Sequence, residues 1–286
     1  MTKVLVSDPI DQAGIDILSQ VAQVDKRLGL SLDELKQIIG EYDGLMIRSG
    51  TSVTKEVIDN AEKLKIIGRA GVGVDNVDVH AATKKGILVV NSPGGNTIAA
   101  AEHALAMLLA LSRHIPQAHK SMFSGKWQRK NFVGNELYSK VLGVVGLGKI
   151  GSHVAKVANA MGMEVLGFDP FVSADRAQQM QVKLSDINEL FKKSDYVTLH
   201  LPRTSETENL IDFQILSSMK PTARLVNCAR GGIINESDLA KALNSEIIAG
   251  AALDVYSVEP LSEDSPLRSV NERLILTPHL GASTIE

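Results

Sequence analysis

Short apolar runs alternate with amphipathic segments along the whole chain, and the two periods predict strands and helices in turn. In the first third, residues 4–7, 22–25, 44–48, 65–68 and 87–91 read as strands. Residues 10–19, 31–39, 54–60 and 76–84 between them read as helices. Ser31-Leu-Asp-Glu34 has the capping-box pattern, with Ser31 as N-cap and Glu34 reaching back. Residues 97–112 form an Ala/Leu-rich, almost uncharged helix, expected to stop near Pro116 and to be buried between domains or against another subunit. Further strands follow at residues 163–168, 196–200, 224–227, 249–253 and 274–277. Such alternation predicts an α/β protein with parallel sheets.

The middle of the chain adds chemistry to this pattern. The apolar run Val141-Leu-Gly-Val-Val ends in Gly146-x-Gly148-x-x-Gly151 and enters an amphipathic segment over residues 153–161. A strand, a glycine turn and a helix in that order predict a dinucleotide site. Gly146 permits the turn, Gly148 lets the backbone approach a pyrophosphate, and Gly151 lets helix pack closely on strand. Asp169 closes the next strand, in line with the acid expected ~20 residues on to bind the ribose hydroxyls. Its charge opposes a 2′-phosphate and no arginine follows it closely, which favours NAD over NADP.

Composition narrows the remaining classes. The 286 residues are 44% hydrophobic and 22% charged, with a net charge of −3, so two cores are affordable and no global basic field recruits nucleic acid. The single cysteine, Cys228, excludes an internal disulfide framework. No run is long enough to span a bilayer, and the N-terminus lacks signal-peptide regions, so a cytoplasmic location is expected. No His/Cys/Asp spacing suggests a metal site.

In doubly wound folds ligands gather beyond the carboxyl ends of strands. Three such segments carry reactive side chains: Arg230 before two glycines, Glu259 before Pro260, and His279 in the loop after the last strand. Neutral His279 suits a base for a hydroxyl proton, Glu259 could hold its ring, and Arg230 could clasp a carboxylate. Each also has an ordinary reading: a surface ion pair, a turn cap and a satisfied loop histidine. His103, His114, His119 and His153 fall on helical segments and read as structural, while His200 is expected to line the cofactor crevice.

These segments join Gly68-Arg-Ala-Gly-Val-Gly-Val-Asp-Asn-Val-Asp78, Asn227-Cys-Ala-Arg-Gly-Gly-Ile-Ile-Asn-Glu236, Ala251-Ala-Leu-Asp-Val255 and Pro278-His-Leu-Gly-Ala-Ser-Thr284. Together they resemble the D-isomer-specific 2-hydroxyacid dehydrogenases over essentially the whole chain. The resemblance implies two doubly wound parallel-sheet domains, a Rossmann-type NAD domain over 93–280 and a smaller flavodoxin-like substrate domain over 1–92. A segment from about 281 would complete the smaller domain and is cut short at 286, as in a truncated chain. The family's Arg/Glu/His trio maps onto Arg230, Glu259 and His279. Cofactor contacts are implied at Lys149, Ile150, Pro202, Cys228, Ala229, Asp254 and Ala282 beside the glycines and Asp169, with Asp254 near the nicotinamide carboxamide. Substrate contacts are implied at Arg48, Arg69, Gly71, Val72 and Asn96. The implied activity is NAD-dependent oxidation of a D-2-hydroxy acid by a homo-oligomer, with 3-phospho-D-glycerate as substrate and L-serine as the destination. A glyoxylate or hydroxypyruvate reductase of the same family, and an NAD-sensing corepressor-like protein, are the alternatives.

Overall fold

The computed structural model describes residues 2–270 and 272–285 and falls into two compact units, Met1–Asn96 and Thr97–Glu286. The first holds β1 (Lys3–Val6), α1 (Gln12–Ser19), β2 (Gln23–Lys26), α2 (Leu32–Ile38), β3 (Gly44–Ile47), α3 (Lys55–Asn60), β4 (Ile66–Arg69), α4 (Val79–Lys84) and β5 (Leu88–Asn91). The strands form one sheet in the order β2-β1-β3-β4-β5, and each pairing is parallel. Leu5, Leu45, Ile47 and Ile67 pack from the sheet against Leu35, Val57, Ile58 and Ala82 of the helices. The capping box forms as read: the Glu34 amide donates to Ser31 Oγ, and the Ser31 amide donates to the Glu34 carboxylate at 2.8 Å.

The second unit opens with α5 (Thr97–Arg113) and α6 (Ile115–Phe123). It continues through β6 (Val141–Val145), α7 (Lys149–Ala160), β7 (Glu164–Phe168), α8 (Ala174–Gln179), β8 (Lys183–Leu184), α9 (Ile187–Lys193) and β9 (Tyr196–Leu199). It closes with α10 (Phe213–Ser218), β10 (Arg224–Asn227), α11 (Glu236–Asn244), β11 (Gly250–Leu253) and β12 (Leu274–Leu276). Its parallel sheet runs β12-β11-β10-β9-β6-β7-β8. Neighbouring strand residues turn to opposite faces, so Leu225 joins one core and Val226 the other. Helices therefore cover both faces, as the near-continuous apolar strands require. The winding reverses at β6, whose neighbours are β7 and β9, and this makes a switch point beyond their carboxyl ends.

The placing of His114 on a helical segment needs correction, while the apolar helix forms within one residue of its expected span. It ends at Arg113, His114 adopts a left-handed backbone (φ 52°), and Pro116 sits in the first turn of α6, where its missing amide costs nothing. The left-handed turn also takes His114 out of any helix. Ala101, Ala104, Leu108 and Leu111 of α5 pack into the second unit's own core, against Val154 and Ala155 of α7. No single helix among the described residues is long and apolar enough to cross a membrane.

Candidate active site

The glycine turn after β6 has the geometry a phosphate cradle needs. Gly146 is left-handed (φ 95°), and a Cβ there would lie 2.5 Å from the His200 carbonyl oxygen. A Cβ on Gly151 would stand 1.9 Å from the Gly146 carbonyl oxygen, so only glycine lets α7 approach this closely. A Cβ on Gly148 would meet open space, which leaves the turn accessible at the N-terminus of α7. Asp169 follows β7, and its Oδ2 accepts the Leu147 amide at 2.8 Å. The acid is thereby fixed beside the turn. Oδ1 accepts the Phe171 amide at 2.9 Å. These features fit a dinucleotide.

Lys149 is exposed at the start of α7, and Ile150 packs back on the core. His200 directly follows β9 at the same switch point. Burial pushes its pKa down to about 4, so the ring stays neutral 3.0 Å from Thr198 Oγ1. Pro202 lies exposed just beyond it. Burial, with the charge of Asp254, drives the Cys228 thiol well above its ordinary range, so it is no thiolate nucleophile.

The three strand-end side chains come together. β10, β11 and β12 are neighbours, and the segments after them carry Arg230, Glu259 and His279. Glu259 Oε2 lies 2.7 Å from His279 Nδ1, and Oε1 accepts the Tyr256 amide at 3.0 Å. The imidazole therefore shows its Nε2 edge outward, and 47% of the side chain is exposed. The hydrogen bond to Glu259 raises the His279 pKa against the opposing effect of burial, and the Arg230 charge also works to lower it. Burial would raise the Glu259 pKa. The bonds from His279 and Tyr256 outweigh it and hold the group as a carboxylate. Asn227 shapes the Arg230 turn by accepting the Ala229 amide at 3.0 Å and donating to the Arg230 carbonyl at 2.9 Å. A Cβ on Gly231 would fall 1.7 Å from the Tyr256 carbonyl oxygen, so glycine is what seats this turn against the Glu259 segment.

Asp254 is fully buried and fastens the histidine loop. Oδ1 accepts the Leu280 amide at 2.8 Å and the Thr277 hydroxyl at 2.5 Å, and Oδ2 accepts the Gly281 amide at 2.8 Å. His103 of α5 reaches the same carboxylate, Nε2 to Oδ1 at 3.2 Å. Burial works to raise the Asp254 pKa, but these donors together hold it below the ordinary value. Sequence reasoning set His103 aside as structural and missed Asn227 and Thr277 as shapers of the loops. A histidine within an almost uncharged helix was the available signal. Ala282 is exposed just after this loop.

In the first unit, Arg48 and Arg69 stand at the ends of the paired strands β3 and β4. The Arg48 side chain is exposed, while Arg69 folds over Gly71, where a Cβ would lie 1.8 Å from Nη1. Asn91 Nδ2 donates to the Val72 carbonyl at 2.5 Å and steadies that loop. Asn96 Oδ1 is buried without a hydrogen-bond partner among the described residues.

The chain is similar to known proteins in sequence and in fold. Residues 105–281 match the NAD binding domain of the D-isomer specific 2-hydroxyacid dehydrogenases. The chain is 62% identical over 286 residues to D-3-phosphoglycerate dehydrogenase of Synechocystis sp., covering all of this chain and 51% of that protein. It is 50% identical to D-3-phosphoglycerate dehydrogenase of Methanocaldococcus jannaschii, covering all of this chain and 54% of that protein. It thus spans about half the length of the curated relatives it matches. Among solved structures, a glyoxylate reductase from Paecilomyes thermophila superposes with a TM-score of 0.91 at 28% identity, over 99% of this chain and 90% of that one. The chain belongs to the D-isomer specific 2-hydroxyacid dehydrogenases.

Proposed function

We propose that this chain carries the catalytic part of an NAD-dependent dehydrogenase that oxidises 3-phospho-D-glycerate to 3-phosphooxypyruvate, the entry to L-serine synthesis. The His279–Glu259 pair, with Nε2 exposed for proton transfer, carries the chemistry. The 62% identity to a D-3-phosphoglycerate dehydrogenase supports the substrate. Arg230 binds the substrate carboxylate and polarises the C2 oxygen. His279 Nε2 takes the proton of the C2 hydroxyl as C2–O becomes a carbonyl, and Glu259 stabilises the imidazolium that results. NAD, when bound, supplies the acceptor for the two electrons and the hydrogen that leave C2.

The cofactor's contacts are Gly146, Gly148, Lys149, Ile150, Gly151, Asp169, Pro202, Cys228, Ala229, Asp254 and Ala282. Asp169, held beside the turn, opposes a 2′-phosphate and favours NAD over NADP. Arg48 and Arg69 bind the substrate phosphate, assisted by Gly71, Val72 and Asn96. Exposed Phe123 and Trp127, at 83% and 80%, support a homo-oligomer, and the lone thiol fits a reducing cytoplasm.

Comparison of kcat/KM for phosphorylated and unphosphorylated D-hydroxy acids with NAD tests this reading. A preference of at least about tenfold for 3-phospho-D-glycerate is expected, the worth of one charge-assisted contact. Equal or better use of glyoxylate or hydroxypyruvate as oxidant of NADH would favour the reductase.

A further inference from the structure

The loop that carries Arg48 is built around an anion. Asp8 lies two residues beyond the end of β1, and Arg48 follows β3, the strand paired beside it in the same sheet. Asp8 is buried, and its whole carboxylate is spent on the segment from Arg48 to Thr51. Oδ2 accepts the Arg48 amide at 2.6 Å and the Thr51 amide at 3.0 Å, and Oδ1 accepts the Thr51 hydroxyl at 2.9 Å. Ser7 Oγ backs that hydroxyl at 2.9 Å.

A second clamp closes the turn from β4's side. Asn76 Nδ2 donates to the Arg48 carbonyl at 2.7 Å and the Thr51 carbonyl at 2.6 Å. Gly50 completes the fit, since a Cβ there would lie 2.7 Å from Asp8 Oδ1. The backbone of Arg48 is thus gripped at its amide and its carbonyl, while its guanidinium is exposed. The arrangement does what preorganisation of an anion-binding side chain requires: the root is fixed before the ligand arrives.

We infer that Asp8, with Asn76 opposite, is a positioning residue that sets the enzyme's preference for a phosphorylated substrate by fixing the root of Arg48. The inference rests on the proposed role of Arg48 in binding the phosphate. Asp8→Asn keeps the shape and one acceptor oxygen, but removes the charge and puts an NH2 donor where the second oxygen served either the two amides or the Thr51 hydroxyl. The readout is the ratio of kcat/KM for 3-phospho-D-glycerate to that for D-glycerate, which general loosening of the fold would not change selectively.

Asp8→Asn should lower the ratio roughly tenfold or more, and should lower it no further when added to Arg48→Ala, since both act on one contact. An unchanged ratio in Asp8→Asn, alongside a lowered one in Arg48→Ala, would overturn the inference and leave the function standing. An additive double variant would overturn it as well. If Arg48→Ala leaves the ratio unchanged, or the unaltered enzyme has no phosphate preference, the reading of Arg48 fails and the inference goes with it. Should Asp8→Asn not fold, Asn76→Ala grips the same turn less and should lower the ratio at least about threefold. No selective loss there would also overturn the inference.

Discussion

At the scale of single residues, the proposed reaction turns on His279 as the proton acceptor. To accept a proton it must be neutral, and its raised pKa means that activity falls as pH drops through that raised value. Glu259→Gln keeps an oxygen near Nδ1 but removes the charge that raises the pKa. The acidic limb of the pH–rate profile should then move to lower pH, while turnover at the optimum declines. A limb that stays in place would break the coupling. His279→Ala should cost ~10²–10⁴ in kcat with NAD affinity kept, checked by steady-state kinetics and fluorescence titration of NADH. His279, Glu259 and Arg230 were legible as reactive side chains after predicted strands. That Glu259 could hold the His279 ring was legible too, but the 2.7 Å geometry was not, because the contact spans 20 residues and depends on which strands are neighbours. His103 was illegible for the same reason: Asp254 is 151 positions away in sequence and adjacent only in space.

Elements follow local rules where their signals are local. The strand–glycine–helix unit was readable because its pattern is local, and Gly151 answers to Gly146 only five positions before it, although the close approach at Gly146 is to His200, far along the chain. Gly151→Ala tests this: its Cβ would meet the Gly146 carbonyl oxygen at 1.9 Å, so α7 must move off β6. Overpacking of this kind typically costs ~1–3 kcal/mol, seen as a lower Tm, and the NAD dissociation constant should rise with it. A variant with unaltered Tm and NAD affinity would refute the close-packing role. The capping box at Ser31 was equally local and formed as expected. The span of α5 was local too and fell within one residue of its expected end, whereas no pattern announces the left-handed His114 after it, which sets Pro116 in the first turn of α6.

At the scale of the whole molecule, the exposed rings of Phe123 and Trp127 predict self-association. Phe123→Glu with Trp127→Glu should reduce the mass measured by sedimentation equilibrium, and an unchanged mass would place any interface elsewhere. By itself the sequence determined what periodicity and local chemistry can encode. It specified α/β alternation, two wound sheets, the glycine turn with its acid, and the residue types of a hydroxyacid dehydrogenase. Only the tertiary structure decided the rest. Strand order brought Arg230, Glu259 and His279 to one edge, burial turned Asp254 into the fastening of the histidine loop, and Asp8 was set under Arg48. The physical reason is that side-chain period and capping act over a few residues. Hydrogen bonds and charges act over a few ångströms, between residues that folding alone makes neighbours.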